Sequence, residues 1–371
     1  MKKYAIFLPQ FHEIPENNEW WGKGFTEWTN VKKGRPLFNG HIQPKKPLNN
    51  NYYNLLKKET MINQTNLMNK YHIDGMAYYH YYFKGKKLLE KPVENLLEWT
   101  DIQQNFFFIW ANHSWVRTWE GKRDVLVEQE YGNKEDWENH FLYLIKFFKD
   151  DRYEKKNNKP IFGIFNPDIP NKNEMFKYFD FRCQQEGFSG IYIFESYASQ
   201  SKENFPQNYN KFIEQTSKYT KAVAIRQPAF CEYDTVIGLK KIIYVYYRMW
   251  MRSTKRKSKK PLVLNGNKMI EKYLKIKFPV CEKDIIPGIF FEWDNTARHK
   301  SRGYVITPLD KRHFFALMNH VKKSEYILIN AWNEWCEGMI LEPTEESGYK
   351  YLEWIKEWSE KNENRINGIR I

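Results

Sequence analysis

The chain contains eight short apolar runs rich in β-forming residues, and each run except the last is followed by a stretch that includes helical patterning. Parallel strands need a crossover helix to return the chain to the same edge of the sheet, so this alternation predicts parallel strands joined by helices. A length of 371 residues suits one closed barrel of this kind. We therefore predict an α/β fold, a (β/α)8 TIM barrel that forms a single domain over residues 1–371. The predicted strands are residues 4–11, 75–82, 106–112, 160–166, 190–196, 222–227, 286–293 and 326–332.

Two of the stretches between these runs show how the helices are recognised. Residues 134–149 repeat apolar side chains at helical spacing. Thr307 followed by Pro308 indicates the start of another helix, with Thr307 as its N-cap. A doubly wound sheet would alternate in the same way, but it would normally show a Gly-rich phosphate turn after its first strand, and this chain has none there. The pattern therefore favours a barrel.

Two connections between predicted strands are long, those after strands 1 and 6. The first, residues 12–54, contains Trp20, Trp21 and Trp28. Long loops in compact domains are usually functional, so we interpret this one as a lid or as the wall of a subsite. The second forms an insertion at about residues 230–284.

The insertion carries an aromatic and aliphatic stretch, residues 239–251, which is followed by a basic run. An apolar helix beside cations is typical of a peripheral contact with an anionic membrane, here through residues 239–260. A buried helix followed by a solvated basic loop has the same composition, and the sequence leaves both interpretations open. The cations are Arg252, Lys255, Arg256, Lys257, Lys259 and Lys260.

The end of the eighth predicted strand carries two carboxyl groups, Glu334 and Glu337, beside Trp332 and Trp335. Barrel enzymes place their chemistry at the carboxyl ends of the strands. Two neighbouring carboxyls in a desolvated site have pKa values that are pushed apart, so that one serves as acid and the other as base or nucleophile. Cleavage of a glycosidic bond requires this division. Two solvated Glu side chains at a strand end are the alternative, which the spacing alone does not exclude.

Aromatic residues make up 18% of the chain, with 14 Trp, 25 Tyr and 26 Phe. Aromatic rings commonly line clefts that stack on sugar faces, so an oligosaccharide is the first predicted partner. The formal charge of +14 is also compatible with nucleic acid. However, the lysines are scattered among Asn and Glu, and no nucleic-acid motif accompanies the basic run, so we expect no nucleic-acid partner.

The cysteines Cys183, Cys231, Cys281 and Cys336 are widely spaced, as in the reduced proteins of the cytoplasm. The N-terminus has no signal-type apolar region, and no run reaches the ~18 apolar residues of a membrane span. We expect a cytoplasmic protein, peripheral at the inner face of the cell membrane if the insertion binds lipid. The histidines show no metal-ligand spacing, so we expect no metal and no other cofactor. The sequence gives no indication of oligomeric state.

Seven blocks along the chain resemble the WbsX family of surface-polysaccharide biosynthesis proteins, which is itself related to the retaining endo-α-mannosidases. The blocks follow the order expected for the family and extend over nearly the whole chain. They are residues 8–12, 19–30, 73–75 with 78–81, 110–112, 128–129, 293–298, and 330–335 with 337–338 and 341–343.

The resemblance implies that the eighth strand carries both catalytic carboxyls, matching Glu334 and Glu337. In the mannosidase relatives, the first carboxylate acts on the sugar's own 2-hydroxyl to give a 1,2-anhydro intermediate, and the second protonates the departing oxygen. Carried over, Glu334 is the base and Glu337 the acid, and the two later reverse. This mechanism needs a manno-configured 2-hydroxyl, and retention predicts carboxyl groups about 5 to 5.5 Å apart.

The implied function is an enzyme of O-antigen or capsule biosynthesis that cleaves or transfers α-linked, manno-configured units of an oligosaccharide or lipid-linked glycan. WbsX proteins are called glycosyltransferases from their genetic context. A metal-independent transferase that uses a nucleotide sugar is a first alternative, and a non-catalytic glycan-binding barrel is a second. The transferase would need a diphosphate site, for which Arg117, Arg226 and Arg298 are the candidate cations.

One block departs from the family pattern, because His113 and Ser114 stand where the family usually has Glu and Asn. We therefore expect different substrate contacts at the third strand.

The predicted substrate-binding side chains lie at strand ends, in the first long connection or beside the carboxyl pair. Each has a structural alternative, such as a core position for a Trp, a satisfied imidazole for a His, or an ion pair between Asp294 and Arg298. They are His12, Glu27, Trp28, Tyr79, His80, Tyr81, Asn112, His113, Trp115, Arg117, Glu195, Trp293, Asp294, Asn295, Arg298, Asn333, Trp335 and Glu342.

Overall fold

Eight parallel strands form a closed barrel, in which each strand pairs with its neighbours along the chain and the eighth pairs with the first. The computed structural model describes residues 1–117, 124–198, 203–235, 239–253 and 260–366. Every predicted strand is present, with its ends shifted by a few residues, so the predicted (β/α)8 barrel is confirmed. The strands are Lys2–Phe7, Gly75–Phe83, Phe106–Trp110, Lys159–Ile164, Tyr192–Tyr197, Thr220–Ile225, Asp284–Phe290 and Tyr326–Asn330.

Helices occupy the connections between these strands, as expected for strands that are buried along most of their length. The helix predicted at 134–149 is confirmed. The helices of the described residues are Pro15–Trp21, Glu27–Val31, Lys58–Lys70, Lys91–Glu98, Lys134–Phe148, Lys172–Gln185, Gln207–Gln215, Ala229–Tyr233, Leu239–Ser253, Gly266–Tyr273, Thr296–His299, Lys311–Val321 and Lys350–Ile366.

The helix predicted to start at Thr307 begins later, at Lys311, and its N-cap is Asp310. The Asp310 carboxylate accepts a hydrogen bond from the backbone N–H of His313 at 2.8 Å. The Thr307 hydroxyl does not cap this helix; it accepts a hydrogen bond from the backbone N–H of Gly266 at 3.1 Å. The predicted N-cap was therefore wrong, since the Thr-Pro pair ends an accessory strand instead of starting the helix.

Short accessory strands extend the barrel at its ends and in its loops. Two pair with barrel strands, three form a small sheet around the insertion, and the others form two hairpins. They are Lys86–Leu88, Lys155–Lys156, Leu262–Leu264, Trp293–Asp294, Tyr304–Ile306, Trp115–Val116, Val125–Val127, Asn333–Glu334 and Met339–Ile340.

Side chains alternate between the barrel interior and the surrounding layer along each strand, and aromatic rings fill the interior. The ring centre of Phe107 lies 4.8 Å from that of Tyr4 and 6.0 Å from that of Phe194. Gly163 leaves room for this packing, because a Cβ there would come within 2.3 Å of the Phe194 ring. The interior is therefore packed core, and functional groups are confined to its ends.

The first long connection is partly helical, with helices Pro15–Trp21 and Glu27–Val31. Asp294, beyond the seventh strand, fastens it to the barrel. The Asp294 carboxylate lies 2.8 Å from Nε2 of His41 and accepts a hydrogen bond from the Gln43 amide at 2.6 Å. The candidate lid is thus held at the carboxyl end of the barrel.

Among the described residues, no helix is both long and apolar enough to cross a membrane. The four cysteines are free thiols.

Candidate active site

After the eighth strand, the chain turns back in a short hairpin that carries both predicted catalytic carboxyls. Asn333–Glu334 pairs antiparallel with Met339–Ile340, and Glu337 lies in the single turn of 3-10 helix between them. Gly338 ends that turn with a φ of 65° in the left-handed region, which glycine adopts without a steric cost. A Cβ at Gly338 would also come within 2.8 Å of the backbone of Asp294. The sequence Glu-Gly therefore fixes a tight turn beside the barrel mouth.

Buried polar contacts hold this hairpin in place. The Asn333 side chain accepts a hydrogen bond from the backbone N–H of Leu8 at 2.8 Å and donates one to its carbonyl at 3.0 Å. The Trp335 indole donates to Glu342 at 2.6 Å, and its ring centre lies 5.2 Å from that of Trp28. Asn333, Trp335 and Trp28 are buried, so they position the carboxyl pair.

Glu334 and Glu337 both line a cleft of about 310 Å³ at the carboxyl end of the barrel. One part of its wall is aromatic, with the rings of Tyr81 and Trp115 packed edge to face at 5.2 Å. Trp21 and Phe165 also line it, although neither was among the predicted site residues. The predicted residues in the cleft wall are Tyr79, Tyr81, His113, Trp115, Arg298, Glu334 and Glu337.

Arg298 joins two carboxylates at the edge of the cleft. Its Nη1 donates to Glu337 at 2.9 Å, and its Nη2 donates to Glu27. Glu27 is fully buried at the start of the helix Glu27–Val31, so the first long connection contacts the carboxyl pair through Arg298. Asp294 and Arg298 therefore have separate partners and do not simply pair with each other.

The two carboxyls have different electrostatic surroundings. Burial raises the pKa of Glu334 well above its usual value, and the nearby charge of Glu337 raises it further. Burial also raises the pKa of Glu337, while Arg298 and Arg226 oppose that shift. Among the described residues, Oε2 of Glu334 is buried without a hydrogen-bond partner. Burial and the charge of Glu337 therefore favour the protonated form of Glu334, whereas Arg298 favours the carboxylate form of Glu337.

His80 and Glu195 lie outside the cleft, because strand alternation turns them away from the barrel interior. Nε2 of His80 is 2.9 Å from Nε2 of His140, and burial lowers the His80 pKa to about 3. Glu195 forms an ion pair with Lys172 at 2.9 Å and accepts a hydrogen bond from the hydroxyl of Thr220 at 2.5 Å. Both side chains are buried, and neither lines the cleft.

Asn112 and Asn295 brace loops at the mouth of the barrel. The Asn112 side chain donates to the carbonyl of Asn166 and accepts from its backbone N–H, both at 2.7 Å. Asn295 accepts from the backbone N–H of Tyr304 at 2.9 Å. Together with Asp294, which anchors the first long connection, they shape the loops and do not line the carboxyl cleft.

His12, Trp293 and Arg117 do not line the cleft either. Burial lowers the pKa of the His12 imidazole to about 4, so this side chain is neutral near pH 7. The Trp293 ring stacks on Tyr304 at 5.4 Å, and the guanidinium of Arg117 lies 5.2 Å from the Trp21 ring. The contact with Trp21 makes Arg117 a support for the aromatic wall.

Glu342 lies on the other side of the hairpin. It accepts hydrogen bonds from Tyr53 at 2.8 Å, Gln64 at 2.9 Å and Trp335 at 2.6 Å. Burial raises its pKa to about 7. It borders a separate cavity of about 720 Å³, so its contact with the hairpin is through Trp335.

Arg226, just beyond the sixth strand, was not predicted as a sugar-binding residue. It lines a cavity of about 540 Å³ that shares His113 and Phe165 with the carboxyl cleft. Its guanidinium lies 4.3 Å from the centre of the Phe165 ring, and no described carboxylate forms an ion pair with it. The alternation of Ala222, Ala224 and Arg226 toward the interior was the signal that would have identified it.

The family profile Glycosyltransferase WbsX matches residues 3–355. Two curated relatives carry the name Uncharacterized protein WxcX and come from Xanthomonas campestris pv. campestris, strains B100 and ATCC 33913. Each is 27% identical over 364 residues, which cover 94% of this chain and 48% of the relative. The chain thus spans about half the length of the curated relatives it matches.

Solved structures with the same fold include a glycoside hydrolase-like protein, with a TM-score of 0.59 and 12% identity over 96% of this chain and 93% of that one. Another is the GH99 endo-α-mannosidase of Bacteroides thetaiotaomicron in complex with BIS-TRIS-propane. Its TM-score is 0.56, with 12% identity over 98% of each chain. At this identity the likeness shows the fold alone. The profile match over residues 3–355 shows the family, and the chain belongs to the glycosyltransferase WbsX family.

Proposed function

We propose that this protein acts in surface polysaccharide biosynthesis, of O-antigen or capsule, and cleaves or transfers α-linked, manno-configured glycosyl units by a retaining two-carboxylate mechanism. The observation that carries the proposal is that Glu334 and Glu337 line one aromatic-walled cleft at the carboxyl end of the barrel. Family membership supports the sugar chemistry, and the GH99 endo-α-mannosidase with the same fold supports the configuration.

In the proposed first step, Glu334 accepts the proton of the sugar's 2-hydroxyl while that oxygen attacks C1. The bond from C1 to the leaving oxygen breaks, and Glu337 gives its proton to that oxygen. In the second step, Glu337 accepts a proton from water or an acceptor hydroxyl that attacks C1. The bond from O2 to C1 then breaks, and Glu334 returns its proton to O2. Water gives hydrolysis, whereas a sugar hydroxyl gives transfer.

This scheme starts with the proton on Glu337, whereas burial favours the protonated form of Glu334 and Arg298 favours the carboxylate form of Glu337. The proposal therefore includes a proton transfer between the two carboxyls when sugar fills the cleft. A 2-hydroxyl that donates to Glu334 stabilises its carboxylate, and a leaving oxygen that accepts from Glu337 stabilises its protonated form. Hydrogen bonds from the bound substrate thus favour the proton on Glu337 over the proton on Glu334.

The cleft and the adjoining cavity suit an oligosaccharide or a lipid-linked glycan better than a single sugar. They share His113 and Phe165, so sugar units can lie on both sides of the bond that breaks. The two residues that depart from the family pattern, His113 and Ser114, lie in this region. Ser114 accepts a hydrogen bond from the backbone N–H of Gln129 at 2.9 Å, whereas His113 is exposed where the two cavities meet. We propose that His113 contacts the substrate and Ser114 supports the loop.

A nucleotide-sugar-dependent transferase is the second candidate, and Arg226 is the observation that favours it. A guanidinium that lines a cavity without a described carboxylate partner is suited to a diphosphate and needs no metal. We expect isothermal titration calorimetry with a panel of nucleotide sugars to show no micromolar binding. Micromolar binding that is lost in Arg226→Gln would place this candidate first.

The roles of the two carboxyls can be separated with leaving groups that need no protonation. With a natural glycoside, we expect Glu334→Gln and Glu337→Gln each to lose about 10²–10⁴-fold in rate. With a manno-configured α-glycosyl fluoride, Glu337→Gln should recover most of the lost rate, because fluoride leaves without protonation. Glu334→Gln should not recover it. The measurement is kcat/KM for both substrates, with Glu130→Gln as a control at an exposed carboxyl.

Recovery of Glu334→Gln and not of Glu337→Gln would exchange the two roles. Unchanged polysaccharide assembly in both variants would show a non-catalytic glycan-binding barrel.

The raised pKa of Glu334 also predicts a pH dependence of stability. A carboxyl with a raised folded-state pKa contributes stability below its unfolded pKa, which is 4.5, and loses it as pH rises through the folded value. Gln has no such penalty, so the advantage in Tm of Glu334→Gln over wild type should grow from about pH 5 to about pH 8. Thermal unfolding across this range measures it. A constant difference would show that Glu334 ionises without cost.

A further inference from the structure

The helix Leu239–Ser253 in the insertion presents large apolar side chains to solvent. Their exposed fractions range from 39% to 72%. The sequence left open whether this helix is buried, and such exposure does not fit a buried helix. The exposed apolar residues are Leu239, Ile242, Ile243, Tyr246, Tyr247, Met249 and Trp250.

Most of these side chains form one continuous stripe. At roughly 100° per residue, they cover an arc of roughly 140° on the helix surface. A helix that packs on its own protein turns such a stripe toward the core, but this one turns it outward. The stripe consists of Leu239, Ile242, Ile243, Tyr246, Tyr247 and Trp250.

The segment around the stripe is strongly basic. No acidic residue occurs between Asp234 and Glu271. Lys240 and Lys260 are exposed, and positions 254–259 of the basic run lie outside the described residues. A broad apolar stripe with Trp and Tyr beside such a charge complements an anionic lipid surface, where the rings enter the headgroup region and the cations meet the phosphates. The cations are Lys240, Lys241, Arg248, Arg252, Lys255, Arg256, Lys257, Lys259 and Lys260.

We propose that the helix Leu239–Ser253 docks on the surface of an anionic bilayer. The insertion leaves the barrel at the carboxyl end of the sixth strand, just after Arg226, which lines the cavity beside the carboxyl cleft. Docking would therefore keep the mouth of the barrel close to the lipid surface, where a lipid-linked glycan presents its sugars. The docking does not depend on the reaction at Glu334 and Glu337.

Flotation with vesicles of stated composition tests this proposal. We expect the protein to float with vesicles that contain phosphatidylglycerol at low salt, and to stay behind with pure phosphatidylcholine or at high salt. The double variant Ile243→Glu with Trp250→Glu should lose flotation. The control Phe181→Glu changes an exposed ring on another helix and should keep it. Both variants should retain wild-type turnover of a soluble glycosyl fluoride, which separates docking from catalysis.

Absence of flotation with anionic vesicles at low salt would overturn the proposal. Equal loss in Phe181→Glu would also overturn it, because the effect would not be specific to the stripe. If sedimentation showed a wild-type dimer that the double variant abolishes, with no lipid binding, the stripe would contact a second copy of the chain instead.

Discussion

The ion pairs of Arg298 are the interaction on which the site depends. Two carboxyls in one buried cleft repel each other, and each loses hydration that the protein must replace. Arg298 compensates Glu337 directly and reaches back to the buried Glu27 of the first long connection. The cation therefore neutralises charge at the carboxyl pair and holds the candidate lid against it.

The barrel also constrains where the two carboxyls lie. Its packed interior closes the site from below, and the hairpin after the eighth strand projects both carboxyls into the opening above. Asn333 fixes that hairpin to the end of the first strand through Leu8. The contacts that join the eighth strand to the first therefore also position the two carboxyls. Oε2 of Glu334 is buried and has no hydrogen-bond partner among the described residues. In the proposed reaction, the substrate's 2-hydroxyl supplies the missing hydrogen bond.

Much of this could be predicted from the sequence, because strand order and strand-end position are local properties. All eight strands were identified, and the carboxyl pair was found from its position after the last of them. His80 and Glu195, which lie outside the cleft, were included because every polar residue at a strand end was treated alike. Alternation separates Tyr79 and Tyr81, which face the cleft, from His80 between them. The same rule turns Arg226 inward and would have added it to the site.

Other features depend on contacts between distant parts of the chain, which local patterns do not contain. Glu27 and Arg298 lie 271 residues apart, and nothing near either residue indicates that they meet. The apolar stripe at Leu239–Ser253 has the spacing of a core helix, and only the folded structure shows that it faces outward.

The central claim is that Glu334 and Glu337 act together on one sugar. Its most direct test is a crystal structure of the protein soaked with a manno-configured iminosugar, whose ring nitrogen mimics the charge that develops during cleavage. The account predicts ligand density between these two side chains, with the sugar ring against the aromatic wall. An iminosugar bound only in one of the other cavities, away from both carboxyls, would contradict it.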